Sequence, residues 1–210
     1  MHRSPARPPA ALPLAALAAF GVLLGLVAAD WPPLVRWDDS VSAALRSFGA
    51  ARPVLVDWLR ALTSLAATIP FVAVGAAATL LFAVRRERRS AIFCALVTAS
   101  VPIAWGVMHW ALRNPRPVDG FVVVPSSGFP SGHTSNAAAF ALAVVLLVWP
   151  RSTPATRAAT VLAVTAFALF IGFTRVALLA HWPTDVIGGL LLALALVPIA
   201  ARVTNLGRSA

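Results

Sequence analysis

His181 and Asp185 stand four residues apart, a spacing that on a helix puts both side chains on one face, with the carboxylate in reach of the ring. An Asp that accepts a hydrogen bond from one ring nitrogen leaves the other as a lone-pair nucleophile and stabilises positive charge on the ring. Pro183 between them is acceptable if a helix begins there, because a first turn needs no N–H from it. The same stretch also reads as an interfacial His181-Trp182 anchor at a helix end, and spacing alone does not choose between the two. Upstream, Pro130-Ser131-Gly132-His133 reads as a helix start. Ser131 can act as N-cap, while Gly132 lets a ligand approach the free N–H groups of the first turn, which is a site for an anion. A plain cap accounts for Ser-Gly just as well, but capping requires no imidazole, so His133 points to chemistry. Arg116 and Arg175 offer planar forks suited to phosphate oxygens, and prolines on both sides of Arg116 stiffen the backbone that aims it. Snorkelling to the membrane surface is the alternative, and the commoner fate of an arginine such as Arg36, Arg46 or Arg60.

Two imidazoles and one carboxylate might suggest a metal, but the neighbouring arginines would repel a cation, so neither metal nor cofactor is expected. The single cysteine, Cys94, excludes an internal disulfide and a cysteine-based zinc site. All 17 basic residues are arginine, and the formal net charge is +10. In a soluble protein that charge would suggest nucleic acid; here the question is which side of a bilayer the arginines occupy, and no nucleic-acid partner is expected.

The elements that must carry these residues are membrane spans. Of 210 residues 60% are hydrophobic and 11% charged, with a mean hydropathy of +0.84, which excludes an ordinary soluble domain and fits one domain over 1–210. Six apolar stretches approach the length needed to cross a bilayer: 11–29, 67–84, 91–112, 134–149, 156–174 and 186–203. The first has a rival reading as a signal peptide, ending Val27-Ala28-Ala29 like a cleavage site, but its length is that of a retained helix. With a cytoplasmic N-terminus, ten arginines (Arg3, Arg7, Arg85, Arg86, Arg88, Arg89, Arg151, Arg157, Arg202, Arg208) fall inside and seven outside. The positive-inside bias therefore predicts both termini in the cytoplasm and outward loops at 30–66, 113–133 and 175–185, which hold every polar cluster above. Within the first of these loops, Asp38-Asp39-Ser40 is expected to cap a short surface helix bearing Val41, Ala44, Leu45 and Phe48 and stopped by Gly49. A second amphipathic piece is expected from Pro53 to about Leu65.

Taken together, the three polar segments resemble the type 2 phosphatidic acid phosphatases, a superfamily that also includes bacterial undecaprenyl diphosphate phosphatases and vanadium haloperoxidases. Its first motif, a Lys followed by six residues and Arg-Pro, is similar to His109 to Pro117, with His109 in the lysine position. The second stands unaltered as Pro130-Ser131-Gly132-His133. The third, Ser-Arg, five residues, His, three residues and Asp, resembles Thr174-Arg175, His181 and Asp185, with Thr174 for Ser. The resemblance implies that His181 attacks phosphorus, Asp185 orients it, and His133 protonates the leaving group. It implies that Arg116, Arg175, Ser131, the Gly132 backbone and His109 hold the phosphate oxygens. The departure at His109 puts one contact in doubt, because lysine is always charged near neutrality whereas histidine need not be.

The expected protein is thus an all-α, six-transmembrane-helix bundle with short interfacial helices in the first outer loop. It is a cell-membrane enzyme that hydrolyses a lipid phosphate or diphosphate through a phosphohistidine, without metal, at an outward-facing site among membrane lipids. A polyprenyl diphosphate of undecaprenyl type is the first substrate expected, and phosphatidic acid or phosphatidylglycerol phosphate the alternative. A non-catalytic lipid transporter on the same bundle is the rival from another class, disfavoured because transport needs no nucleophilic histidine with its own carboxylate. Nothing in the sequence speaks to oligomeric state.

Overall fold

Proline sets where half of the helices begin. In the computed structural model, which describes residues 9–124 and 126–206, Pro32, Pro53, Pro154 and Pro183 each open a helix at the position where a missing N–H costs nothing. The helices are α1 (Ala11–Ala28), α2 (Pro32–Ala50), α3 (Pro53–Thr63), α4 (Thr68–Val84), α5 (Arg88–Ala111), α6 (Gly132–Val148), α7 (Pro154–Ala177) and α8 (Pro183–Val203). Short 3-10 turns at Ser64–Ala66 and Trp149–Arg151 follow α3 and α6, and the described residues contain no strand.

Among the described residues, six segments are long and apolar enough to cross a membrane: α1, Pro53–Val84, α5, Gly132–Arg151, α7 and α8. They match the six expected stretches, with α3 extending the second span at its N-terminal end. Large apolar side chains such as Leu14, Val22, Ile69, Leu80 and Leu162 point away from the bundle, as a surface facing lipid requires.

At the centre lie α6 and α8, with α7 against α6, α1 against α8, and α5 bridging to α4. Close approach is possible because the facing residues are small. Ala138 and Ala139 of α6 and Ala193 of α8 pack with Phe93, Val97 and Val101 of α5 and Val197 of α8 into one buried cluster. Where α8 crosses the start of α6, a Cβ on Gly189 would stand 2.7 Å from the Ser131 carbonyl oxygen and 3.0 Å from Thr134 Cβ.

The first outer loop departs from expectation. Asp38-Asp39-Ser40 caps nothing: α2 begins six residues earlier at Pro32, and Asp38 lies inside it, buried. The helix also runs through Gly49, which is overlaid by the Phe121 ring. Proline at N1 outcompetes an internal capping signal, and the acid is used for tertiary contact instead. The second piece, Pro53–Thr63 followed by its 3-10 turn, falls where it was expected.

The α6–α8 contact yields a stability test. Gly189→Ala should destabilise the protein by about 1–3 kcal/mol, because backbone lies where its methyl would go. Gly21→Ala in α1, with nothing within 4 Å, should be neutral or stabilising by up to about 1 kcal/mol. Detergent melting temperatures measure both; equal values for Gly189→Ala and wild type would mean that the two helices do not pack this closely.

Candidate active site

The ends of α5 and α7 and the starts of α6 and α8 meet at one end of the bundle, and they bring all three polar segments together. Local chain chemistry fixes each. The α7 helix stops in a Schellman motif: Leu179 takes a left-handed φ of 51°, Leu179 N–H donates to the Val176 carbonyl at 2.9 Å, and Ala180 N–H to that of Arg175 at 3.0 Å. The Arg175 carbonyl also accepts from His181 N–H at 3.2 Å, so the turn hangs His181 directly beneath Arg175. Leucine has no conformational excuse for a positive φ; burial holds it there, at 1% exposure, with Phe121 N–H donating to the preceding Leu178 carbonyl at 3.0 Å.

His181 and Asp185 do pair, but not as two residues on one helical face. His181 precedes α8, and Asp185, at the third position of that helix, reaches back. Its Oδ2 accepts from Trp182 N–H at 3.0 Å and lies 3.2 Å from His181 Nδ1, while Oδ1 accepts from Asn114 Nδ2 at 3.1 Å. On the far side of the ring, Arg116 Nη1 lies 3.0 Å from His181 Nε2. A guanidinium only donates, so Nε2 accepts and the ring proton sits on Nδ1, facing Asp185. That is the neutral tautomer with its lone pair aimed at Arg116. Burial, then the positive charges of Arg116 and Arg175, push the His181 pKa well below the ordinary histidine range, with a smaller push from His109 and a small opposing effect of the Gly128 carbonyl.

Arg116 is fully engaged in this state. Its Nε donates to the Ser126 carbonyl at 2.7 Å, Nη2 to Ser126 Oγ at 3.1 Å and the Ser127 carbonyl at 2.8 Å, and Nη1 to the Ala180 carbonyl as well as to His181. All five guanidinium N–H groups therefore have acceptors, and a phosphate oxygen must displace one of them. Arg175, only 4% exposed, is less occupied: Nη1 donates to Thr63 Oγ1 at 3.3 Å, and the buried Nε has no partner among the described residues.

Ser131 occupies the N-cap position of α6 but makes no side-chain cap bond; its Oγ accepts from Thr134 Oγ1 at 3.0 Å. Its N–H donates to the Asp185 carbonyl at 2.9 Å, which ties the start of α6 to the start of α8. Gly132 opens α6 beneath Trp105, whose Nε1 lies 2.7 Å from where a Cβ at 132 would stand. His133 follows in the first turn, within electrostatic range of Arg175, His181 and Arg116. His109, in the last turn of α5, stacks on Trp105 with ring centroids 4.2 Å apart. Its ring nitrogens make no well-aimed hydrogen bond, although the carbonyls of Trp105 and Ser127 lie beside the ring.

Four supporting residues carry no site role legible in the sequence, where Asp38 reads only as part of a helix cap. Asn114 orients Asp185, yet it sits inside the Arg113 to Pro117 cluster, where a polar amide between charged and proline residues was the available signal. Thr63, at the end of α3, takes hydrogen bonds from Thr174 Oγ1 at 3.0 Å and from Arg175. Asp38 accepts from Thr184 N–H at 3.1 Å and Oγ1 at 2.6 Å, bracing the first turn of α8 from outside. Burial raises its pKa to about 6, opposed by those same two bonds. Ser127 accepts from Asn114 N–H at 3.0 Å and donates to the Leu112 carbonyl at 2.6 Å, closing the loop that carries Arg116. Only the fold could reveal partners this distant in the chain.

Comparison with known proteins places this geometry. A model of the PAP2 superfamily matches residues 109–208. Phosphatidylglycerophosphatase B of Escherichia coli K12 is 40% identical over 72 residues, which cover 34% of this chain and 27% of that protein; the Shigella flexneri protein of the same name matches equally. The aligned part is thus about a quarter of the length of those relatives. The crystal structure of a transmembrane PAP2-type phosphatidylglycerolphosphate phosphatase from Bacillus subtilis superposes with a TM-score of 0.77 at 23% identity, covering 92% of this chain and 96% of that one. LpxE from Aquifex aeolicus superposes with a TM-score of 0.56 at 21% identity, covering 76% and 93%. At those identities the structural likeness establishes the fold.

The tautomer and pKa of His181 can be read directly. Its pKa is depressed, so the ring of the ligand-free protein should remain neutral as the pH falls through 6.5 and on to 6, with the proton on Nδ1. Nitrogen-15 NMR of histidine-labelled protein, assigned by the signal lost in His181→Asn, checks both points. A doubly protonated ring at pH 6 would contradict the site as described.

Proposed function

Because a model of the PAP2 superfamily matches residues 109–208, we propose that the chain belongs to that superfamily and is an integral membrane phosphatase that hydrolyses a lipid phosphate through a phosphohistidine on His181. The observation that carries this reading is the His181 ring itself, neutral, with Nδ1–H towards Asp185 and its Nε2 lone pair meeting a guanidinium. A phosphoryl group entering beside the start of α6 would draw Arg116 Nη1 onto its own oxygens and release that lone pair for attack. Nε2 then bonds to phosphorus as the bond to the lipid oxygen breaks, and His133 supplies a proton to that oxygen. Asp185 stabilises the imidazolium-like ring that results. Arg175, Arg116, Ser131, His109 and the Gly132 backbone N–H hold the phosphoryl oxygens as charge develops. Water, deprotonated by His133, attacks phosphorus in the second step, frees phosphate and restores His181.

No metal takes part in this scheme. The one carboxylate at the centre, Asp185, is engaged by His181, Trp182 and Asn114, and a cation there would face Arg116 and Arg175. A transporter on the same bundle would have no use for a nucleophile with its own buried carboxylate.

Within the lipid phosphates, likeness to phosphatidylglycerophosphate phosphatases favours phosphatidylglycerol phosphate as the first candidate. A polyprenyl diphosphate, first choice from the sequence alone, becomes the second, with phosphatidic acid beside it. Purified wild type should release inorganic phosphate from at least one of these three and do so in excess EDTA. His181→Asn should lose activity by at least a thousandfold while melting as a folded protein. Substantial turnover by that variant would remove His181 from the chemistry, and loss on chelation that magnesium restores would end the metal-free scheme.

The site is further proposed to face outward, with both termini cytoplasmic, from the sequence bias of ten arginines in the segments expected inside against seven in those expected outside. In a Cys94→Ala background, Val123→Cys, on the exposed loop between α5 and α6, should react with an impermeant maleimide in intact cells. Ser152→Cys, between α6 and α7, should not. The reverse pattern would turn the site to the cytoplasm.

A further inference from the structure

Trp105 belongs to none of the three motifs, yet it reaches the start of α6. It lies in α5 one turn before His109, with the two rings stacked at a 41° tilt. Its Nε1 is buried and has no acceptor among the described residues. An indole nitrogen is a donor only, so its acceptor has to come from beyond the described residues. Leaving a buried N–H unmatched is costly, and native proteins rarely do so without a reason.

What surrounds that nitrogen indicates the chemistry of the missing acceptor. Nε1 lodges against Gly132, the first residue of α6, tightly enough to exclude any side chain there. The N–H groups of Gly132, His133 and Thr134 lie in the first turn of that helix, where no intrahelical acceptor exists and no side chain caps them. Arg175, within electrostatic range of His133 in that first turn, also has a buried Nε with no partner among the described residues. A set made only of donors, at the positive end of a helix, fits one acceptor with several oxygens and negative charge.

We propose that the indole N–H of Trp105 donates to a phosphoryl oxygen of the lipid phosphate seated at the start of α6, adding a phosphate-binding residue to those in the motifs. The proposal rests on the phosphatase reading and deepens it. It also gives Gly132 a second reason to lack a side chain: the residue must admit the indole edge as well as the ligand. His109, stacked on the other part of the ring, fixes the plane in which Nε1 points.

Orthovanadate, an oxyanion that adopts the geometry of phosphoryl transfer, is the probe, used on the full-length purified protein in detergent. Trp105→Phe keeps an aromatic ring against His109 and Gly132 but removes the donor. Its vanadate inhibition constant, and the constant from vanadate-induced thermal shift, should weaken by roughly tenfold or more. Its ligand-free melting temperature should be unchanged or higher, because an unmatched donor has gone. Should Phe not fold, benzothienylalanine at position 105, introduced by nonsense suppression, keeps the indole outline with sulfur in place of N–H, and the same weakening is expected. Vanadate affinity within twofold of wild type in a folded variant overturns this proposal alone. A lowered ligand-free melting temperature with unaltered affinity does the same, since it identifies a structural donor. Wild-type protein that neither binds vanadate nor releases phosphate overturns the phosphatase reading and this proposal with it.

Discussion

A carboxylate that never meets water is the constraint around which this site is arranged. Asp185 is 0% exposed, and a buried carboxylate persists only if hydrogen bonds replace the lost hydration. Three donors from two parts of the chain do so: His181 Nδ1, Trp182 N–H and Asn114 Nδ2. The same residue's carbonyl takes the N–H of Ser131. One residue thus joins the loop after α5, the start of α6 and the α7–α8 turn. Losing any of these partners would leave charge unmatched in the interior, so the three segments are held in mutual register by a cost that grows steeply when they separate.

The rest of the fold supplies what that register requires. The α7–α8 turn is tight enough to place His181 beneath Arg175 only because Leu179 accepts a left-handed backbone, and its burial beside Gly120 and Phe121 holds it there. Two further helices brace the arrangement: Thr63, at the end of α3 within the second span, takes Arg175, and Asp38 of α2 takes Thr184 beside Asp185. The α2 and α3 segments therefore do more than lead from one span to the next. They contribute the polar anchors that lipid cannot provide.

The spans, their order and the convergence of the three motifs were legible because they rest on local properties of the sequence, apolar length and fixed spacing. The errors arose where a local signal met a stronger tertiary demand. Asp38-Asp39-Ser40 has the form of a cap, but Pro32 starts the helix earlier and Asp38 turns to Thr184, 146 residues away. The His181–Asp185 spacing pointed to a pair, yet the helical geometry inferred from it was wrong; an acid at the third helical position folds back onto the residues before the helix. Trp105 gave no signal at all, because a tryptophan in an apolar span looks like packing until its nitrogen is found without a partner.

Arg116 shows how the resting site differs from the one drawn from motif roles. A residue expected to hold phosphate instead has all five N–H groups satisfied by the protein, one of them on the lone pair of His181, the proposed nucleophile. This arrangement has two physical effects. The lone pair is kept from protons, since the guanidinium charge and burial both disfavour the imidazolium. It is also kept from other electrophiles, since reaction requires that the guanidinium find something better to hold. A phosphate dianion is such a partner, and an ester or amide without charge is not. In the proposed reaction, binding and activation then become the same event: the oxygens that draw Arg116 away identify the substrate as a phosphate, and their doing so exposes the nitrogen that attacks it.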